Sequence, residues 1–199
     1  MPVTLCEKSR FMRSLVHNNE FARGVSELRL PRYKEIPSID LYMDQMIDYL
    51  EDALSALHRP GEKIITSSMV NNYVKMGILD APKGKKYGRD NIARLIVIDI
   101  LKQSFSIGEI DQLIKQQVLS FSTERAYDYF CSSLEQACRA LFAEEPTPPQ
   151  TLTRGEREGD FERDLVIAAS ATVAYTLYLK ASIVVTYEQH ERRTSDPYE

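Results

Sequence analysis

The amino-acid sequence predicts a mainly α fold with one small β-hairpin and a C-terminal helical bundle or dimerisation region. Three observations carry that prediction. Apolar residues recur at spacings of three and four through most of the 199 residues, the period of one helix face. Capping residues and glycine or proline breaks punctuate those runs. A single stretch, ILDAPKGKKYG, is too short and too rich in Pro, Gly and Lys for a helix. It reads as a two-stranded hairpin with its tip at Lys83-Gly84-Lys85.

Taken in order, residues 11–28 carry Phe11, Leu15, Phe21, Val25 and Leu28 at a loose helical spacing, and Pro31 and Pro37 mark an extended entry. Asp40 is the expected N-cap of a helix over 41–57, with Met43, Met46, Ile47, Leu50, Ala53, Leu54 and Leu57 on one face. Pro60-Gly61 ends it. A short helix follows over 67–76, capped by Thr66 and closed by Gly77 as a left-handed C-cap. After the hairpin, Asp90 is the expected cap of a helix through Ile92, Leu95, Ile96, Ile98 and Leu101. Ser106 and Glu109 form a capping box for the next, which buries Ile107, Ile110, Leu113 and Ile114. Ser122 or Thr123 opens another, to about 143, with Tyr127, Phe130, Leu134, Ala137, Leu141 and Phe142 inward. The segment EEPTPPQTLTRGEREGD is a linker. A helix over 160–192 closes the chain and should reach about 50 Å.

Apolar residues make up 43% of the chain, enough for a buried core, and net charge is −4. As an average, that acidic balance argues against a nucleic-acid partner. The charge is unevenly placed. Residues 59–102 hold nine Lys or Arg against four acids, a local +5 that leaves −9 for the remainder. One basic segment in an acidic protein is what a phosphate-binding face requires. The opening MPVTLCEKSRFMRSL, broken by Glu7, Lys8, Arg10 and Arg13, holds no signal-peptide core, which predicts a cytoplasmic protein. Residues 165–179 form an uncharged run of 15, short for a membrane span and diluted by Ala, Ser and Thr. A buried central helix or a dimer seam is the expectation there.

On the short helix, Val70, Tyr73 and Val74 fall on one side and Ser68, Asn71, Asn72 and Lys75 on the other, a face with neither acid nor large apolar group. Asn pairs with adenine in the major groove, Ser reaches bases or phosphates, and Lys supplies charge. So short a helix does not stand alone in water. The helices before and after it are suitable supports, and a propped short helix with such a face is the helix-turn-helix arrangement. Lys83, Lys85 and Lys86 at the hairpin, with Arg89 behind, are placed to lie along phosphates as a wing. Ser68, Asn71 and Asn72 are thus the expected base readers. Thr66, Ser67, Lys75, Lys83, Lys85, Lys86 and Arg89 are the expected phosphate contacts. An ordinary solvated surface is the rival explanation of the polar helix face taken alone.

The stretch ITSSMVNNYVKMGILDAPKGKKYGRDNIARLIVIDILKQSFSIGEIDQLI resembles the DNA-binding domain of the MerR family of transcriptional regulators. In that family the recognition helix ends in an aromatic-x-x-x-Gly-Leu-Leu pattern, matched by Tyr73, Gly77, Ile78 and Leu79. A basic wing with a closing aromatic is matched by Lys83 to Tyr87, and a Ser-Leu-x-Glu-Ile motif by Ser106, Ile107, Gly108, Glu109 and Ile110. The family's opening Gly-x-x-Ala helix is replaced by a longer one, and a common recognition-helix Arg stands as Asn71. From Leu30 through the last helix, the chain also resembles a bacterial domain-of-unknown-function family with a MerR-like module. The resemblance implies a winged helix-turn-helix and adds Tyr87 to the DNA-facing set.

The expected division is an N-terminal extension (1–36), a winged helix-turn-helix domain (37–119) and a C-terminal helical dimerisation or regulatory region (120–199). The expected partner is double-stranded DNA, with no membrane. A homodimer paired through the last helices would set two recognition helices about 34 Å apart, or a multiple of that. Tyr127, Tyr129, Phe130, Tyr175 and Tyr178 leave a small-molecule effector open, core packing being the commoner use of such residues. Cys131 and Cys138 lie two helical turns apart, about 10 Å, too far to share an ion without outside ligands, and read as buried structural cysteines. His17, His58 and His190 lack zinc spacing. Asp44, Asp48, Glu51 and Asp52 read as a solvated acidic face. No enzyme activity, cofactor or metal is expected. The functional expectation is a DNA-binding transcriptional regulator. The alternatives are a protein–protein interaction module on a helix-turn-helix scaffold, and a ligand-sensing regulator with a small-molecule site in the C-terminal helices.

Overall fold

The computed structural model of the chain describes residues 14–17, 19–59, 61–142, 150–152 and 157–195, with side chains of the final helix through 188. In order it holds α1 (Glu20–Ser26), strand β1 (Leu41–Tyr42), α2 (Met43–Leu54), α3 (Ser67–Lys75), strand β2 (Lys86–Tyr87), α4 (Arg89–Leu101), α5 (Ile107–Ser120), α6 (Thr123–Phe142) and α7 (Asp160–Ser195). The protein is mainly helical, with one small antiparallel sheet in which Leu41 faces Tyr87 and Tyr42 faces Lys86.

The local signals that rest on neighbouring residues operate as expected. Thr66 accepts a hydrogen bond from the Met69 N–H and starts α3. Gly77, at φ +73°, ends it. The Gly77 N–H donates to the Val74 carbonyl and the Ile78 N–H to the Tyr73 carbonyl, a Schellman closure that turns Ile78 and Leu79 into the core. Ser106 and Glu109 make the reciprocal capping box of α5.

Several expectations are corrected. Asp40 does not cap α2: Leu41 and Tyr42 are drawn into the strand pair, and the helix begins at Met43 with Tyr42 as its N-cap. That helix also ends early, at Leu54, in a 3₁₀ turn over Ser55–Leu57. Asp90 does not cap α4, which begins two residues sooner with Gly88 as N-cap, while the Asp90 carboxylate accepts a hydrogen bond from the Tyr33 hydroxyl. The hairpin is shorter than expected. Lys83 and Lys86 form one bridge, and the sheet is completed by β1 from in front of α2. In place of a single helix over 11–28, α1 starts behind Asn19, whose side chain accepts from the Phe21 N–H. Residues 11–13, Ala143 and most of the expected linker lie outside the described residues.

One core runs through the molecule, and α4 is its centre. Ile92, Ala93, Leu95, Ile96, Ile98, Ile100 and Leu101 are all buried, so apolar side chains cover most of its circumference. It packs against α2, α5, α6 and α7. The most extensive packing joins α6 to α7, and α1 lies on α6. The entry segment is tied there too: Arg32 makes a paired contact with Glu135 at 2.7 Å through each nitrogen, and the Leu30 N–H donates to the same carboxylate. Over Asp160–Glu188, α7 is long and apolar enough to cross a membrane by length and composition, yet it is partly buried against the rest of the chain.

Candidate nucleic-acid interface

The short helix α3 turns Val70 and Tyr73 into the core and leaves Ser67, Ser68, Asn71, Asn72 and Lys75 exposed. Its outer face is therefore hydroxyl, amide and ammonium. Asn72 Nδ2 lies 3.5 Å from Met76 Sδ, and the half-exposed Met76 edges the same surface. Thr66 is half-buried with its hydroxyl in use as the cap.

Both ends of α3 are gripped by α4. At the far end, Arg94 Nη1 donates to the Ile78 carbonyl at 3.1 Å and Asn91 Nδ2 to the Asp80 carbonyl at 2.9 Å. At the near end, His58 and Ile64, ahead of α3, are held by a buried polar cluster. Asp99, 1% exposed, meets His58 Nε2 at 2.7 Å, and Lys102 Nζ lies against both Asp99 and the Ile64 carbonyl. A buried carboxylate needs such partners, and here its partners fix the segment that leads into α3. Sequence reasoning misses this cluster; its one signal there is a lone acid inside the apolar run LIVIDIL.

At the tip of the hairpin, Gly84 and Lys85 both have positive φ, +57° and +66°. The Lys83 and Lys86 backbones exchange N–H···O bonds of 3.0 and 3.1 Å, the geometry of a type I′ turn. Lys83 and Lys85 are exposed. Lys86 stacks its ammonium 4.8 Å from the centre of the Tyr42 ring. Two residues expected at the DNA serve the frame instead. Tyr87 is 2% exposed, inside the core, and Arg89 donates to the Ile36 carbonyl with its guanidinium over Tyr33.

The nine basic residues of 59–102 thus separate into two groups. Arg59, Arg89, Arg94 and Lys102 are committed to backbone carbonyls within the fold. Among the described residues, no carboxylate pairs with Lys63, Lys75, Lys83, Lys85 or Lys86. Lys63, just ahead of α3, belongs to the basic segment but has no motif signal of its own, and sequence reasoning does not single it out.

Elsewhere, Cys131 and Cys138 are free and fully buried, and burial pushes both thiols up to about 12. Among the described residues no group of three His, Cys, Asp or Glu side chains is placed to hold a metal ion. The exposed apolar side chains Phe161, Tyr175, Leu179, Ile183 and Tyr187 lie along α7, the last four at helical spacing on one side.

No curated protein and no solved structure matches the chain. The sequence profile of the family described as Domain of unknown function (DUF1836) matches residues 31–130, from the entry segment through the first turns of α6 and so across the whole α3–hairpin–α4 unit. That match spans half of the protein, and the chain belongs to this family.

Proposed function

We propose that the protein is a DNA-binding transcriptional regulator that uses α3 as the recognition helix and the Lys83–Lys86 hairpin turn as the wing of a MerR-like winged helix-turn-helix. One observation carries the reading. On a single basic segment, the loop ahead of α3, its exposed side and the turn that follows hold amides, hydroxyls and five ammonium groups without carboxylate partners among the described residues. Ser68, Asn71 and Asn72 read base edges, while Ser67, Lys63, Lys75, Lys83, Lys85 and Lys86 contact phosphates. Thr66, Tyr87 and Arg89 hold these groups in place.

The apolar stripe on α7 supports pairing of two copies. An exposed row of Tyr175, Leu179, Ile183 and Tyr187 on a 36-residue helix is the kind of seam that a second such helix covers. Paired in that way, two α3 helices would read half-sites of one operator from two-fold related positions.

The test is selection of fragments of the source genome on the immobilised protein, followed by mobility shift on those recovered. The reading expects one recurring sequence. Asn71→Ala should lower affinity for it by about 1–3 kcal/mol while leaving binding to unrelated duplex unchanged. Recovery of no duplex at low salt would instead favour the protein-interaction scaffold.

A further inference from the structure

The hairpin turn and β1 together make a strip with two sides. β2 runs along its middle, paired on one edge with Leu41 and Tyr42 and bridged on the other, through Lys86, to Lys83. Directly opposed residues of antiparallel strands point to the same side. Leu41 and Tyr87 turn into the core, at 9% and 2% exposure. Tyr42, Lys86 and Lys83 therefore form a row across the outer side, in which Tyr42 stands 48% exposed. The backbone of Tyr42 is fixed twice. It pairs with Lys86, and it is the N-cap of α2, where its N–H donates to Gln45 Oε1 at 3.1 Å.

The ring of Tyr42 is the partner of the Lys86 ammonium, 4.8 Å from its centre. An aromatic ring attracts a cation through its quadrupole and carries no net charge. A carboxylate in the same place would orient the lysine and also cancel its charge. The ring orients it and leaves the whole charge for another anion. Among the described residues, Lys83 and Lys85 stand exposed with no such ring beside them, whereas Lys86 is half-buried against its own. A side chain ordered before it binds gives up less entropy on binding. We infer that Tyr42 is a positioning residue of the proposed interface: it holds the Lys86 ammonium, uncancelled, in the row that meets the phosphate backbone. This rests on the DNA reading above, and the experiment separates the two.

The first readout uses the full chain alone and needs no variant. In NMR spectra, shielding by the ring should set the Lys86 Hε resonances upfield of those of Lys83 and Lys85. Tyr42→Phe should keep that shift and Tyr42→Leu should abolish it. The second readout is affinity for duplex DNA of unrelated sequence. Tyr42→Leu should weaken binding about two- to fivefold, as expected for losing an exposed cation–ring contact, and Tyr42→Phe should bind as the wild type does. Neither variant removes a charge, so both should keep the wild-type slope of log affinity against log salt, whereas Lys86→Ala lowers it by about 0.9. In a Lys86→Ala background, Tyr42→Leu should cost nothing more. No duplex binding by the wild type would end the DNA reading and this inference with it. If the wild type binds, the assignment of Tyr42 alone is overturned by any of three results: Lys86 resonances that are not shielded, a folded Tyr42→Leu that binds equally well, or an equal loss with and without Lys86.

Discussion

Two regions of this molecule use polar side chains in opposite ways. Around the entry segment and α6, they are used up on one another. Arg32 and the Leu30 N–H share the Glu135 carboxylate, the Tyr33 N–H donates to Asp128, and the Tyr127 hydroxyl donates to the Pro31 carbonyl. On α3 and the hairpin tip, the same kinds of group face outward with few or no partners in the fold. The physical difference is burial. Under the fold a polar atom without a partner costs about 1–3 kcal/mol, so the first region is closed; at the surface that cost is absent, and groups can be held ready for something else. Polar side chains therefore divide into those that make the frame and those that the frame presents.

The largest expected effect comes from opening the closed region. Glu135→Ala leaves the Arg32 guanidinium and the Leu30 N–H without their acceptor and should cost about 3 kcal/mol in urea denaturation, as for breaking a largely buried pair. A decrease below about 0.5 kcal/mol, the range of an ordinary surface substitution, would erase the contrast between the regions. Acid sharpens the same point. Burial pushes the Glu135 carboxyl up, but the Arg32 and Leu30 hydrogen bonds outweigh it and hold the folded value below the ordinary one. A carboxyl depressed in the folded state adds stability that is fully present above its unfolded pKa and is lost as pH falls through the lower folded value. Comparing stability from neutral to acid pH, Glu135→Gln should remove that contribution; an unaltered acid profile would speak against it.

A smaller effect is expected at the wing. Lys85 holds a left-handed backbone conformation, φ +66°, that suits glycine better than a branched or long side chain. Lys85→Gly should relieve that strain and gain up to about 1 kcal/mol in thermal stability, while removing one ammonium group from the surface proposed to meet DNA. Higher stability with weaker DNA binding is the signature of a residue kept for presentation rather than for the fold. A decrease in both would assign Lys85 to the frame.

Much of the scaffold is legible in the sequence because its signals are local. Thr66, Gly77 and the Ser106–Glu109 box each act within five residues of themselves, so their presence nearly determines their geometry. The short helix and its polar side follow from the period alone. What stays hidden depends on partners distant in the chain. Nothing near Leu41 announces that Tyr87 will pair with it, so a strand looks like the first turn of a helix. Asp90 looks like a cap until Tyr33 is folded against it. The basic count over 59–102 is right as a sum, but which arginines reach carbonyls of other elements is a tertiary fact. Arg89 and Arg94 are claimed from inside by Ile36 and Ile78. Asp99 and His58, which hold the approach to α3, lie 41 positions apart and become a pair only in the fold.

The division between frame and presented groups is tested most directly by the salt dependence of duplex binding, for the wild type and for Lys83→Ala/Lys85→Ala/Lys86→Ala. Each lysine withdrawn from a phosphate should reduce the slope of log affinity against log salt by about 0.9, so the triple variant should be shallower by nearly three, with its unfolding free energy almost unchanged. Equal slopes for the two proteins, or a duplex affinity that ignores salt, would contradict the assignment of the hairpin lysines to the phosphate backbone.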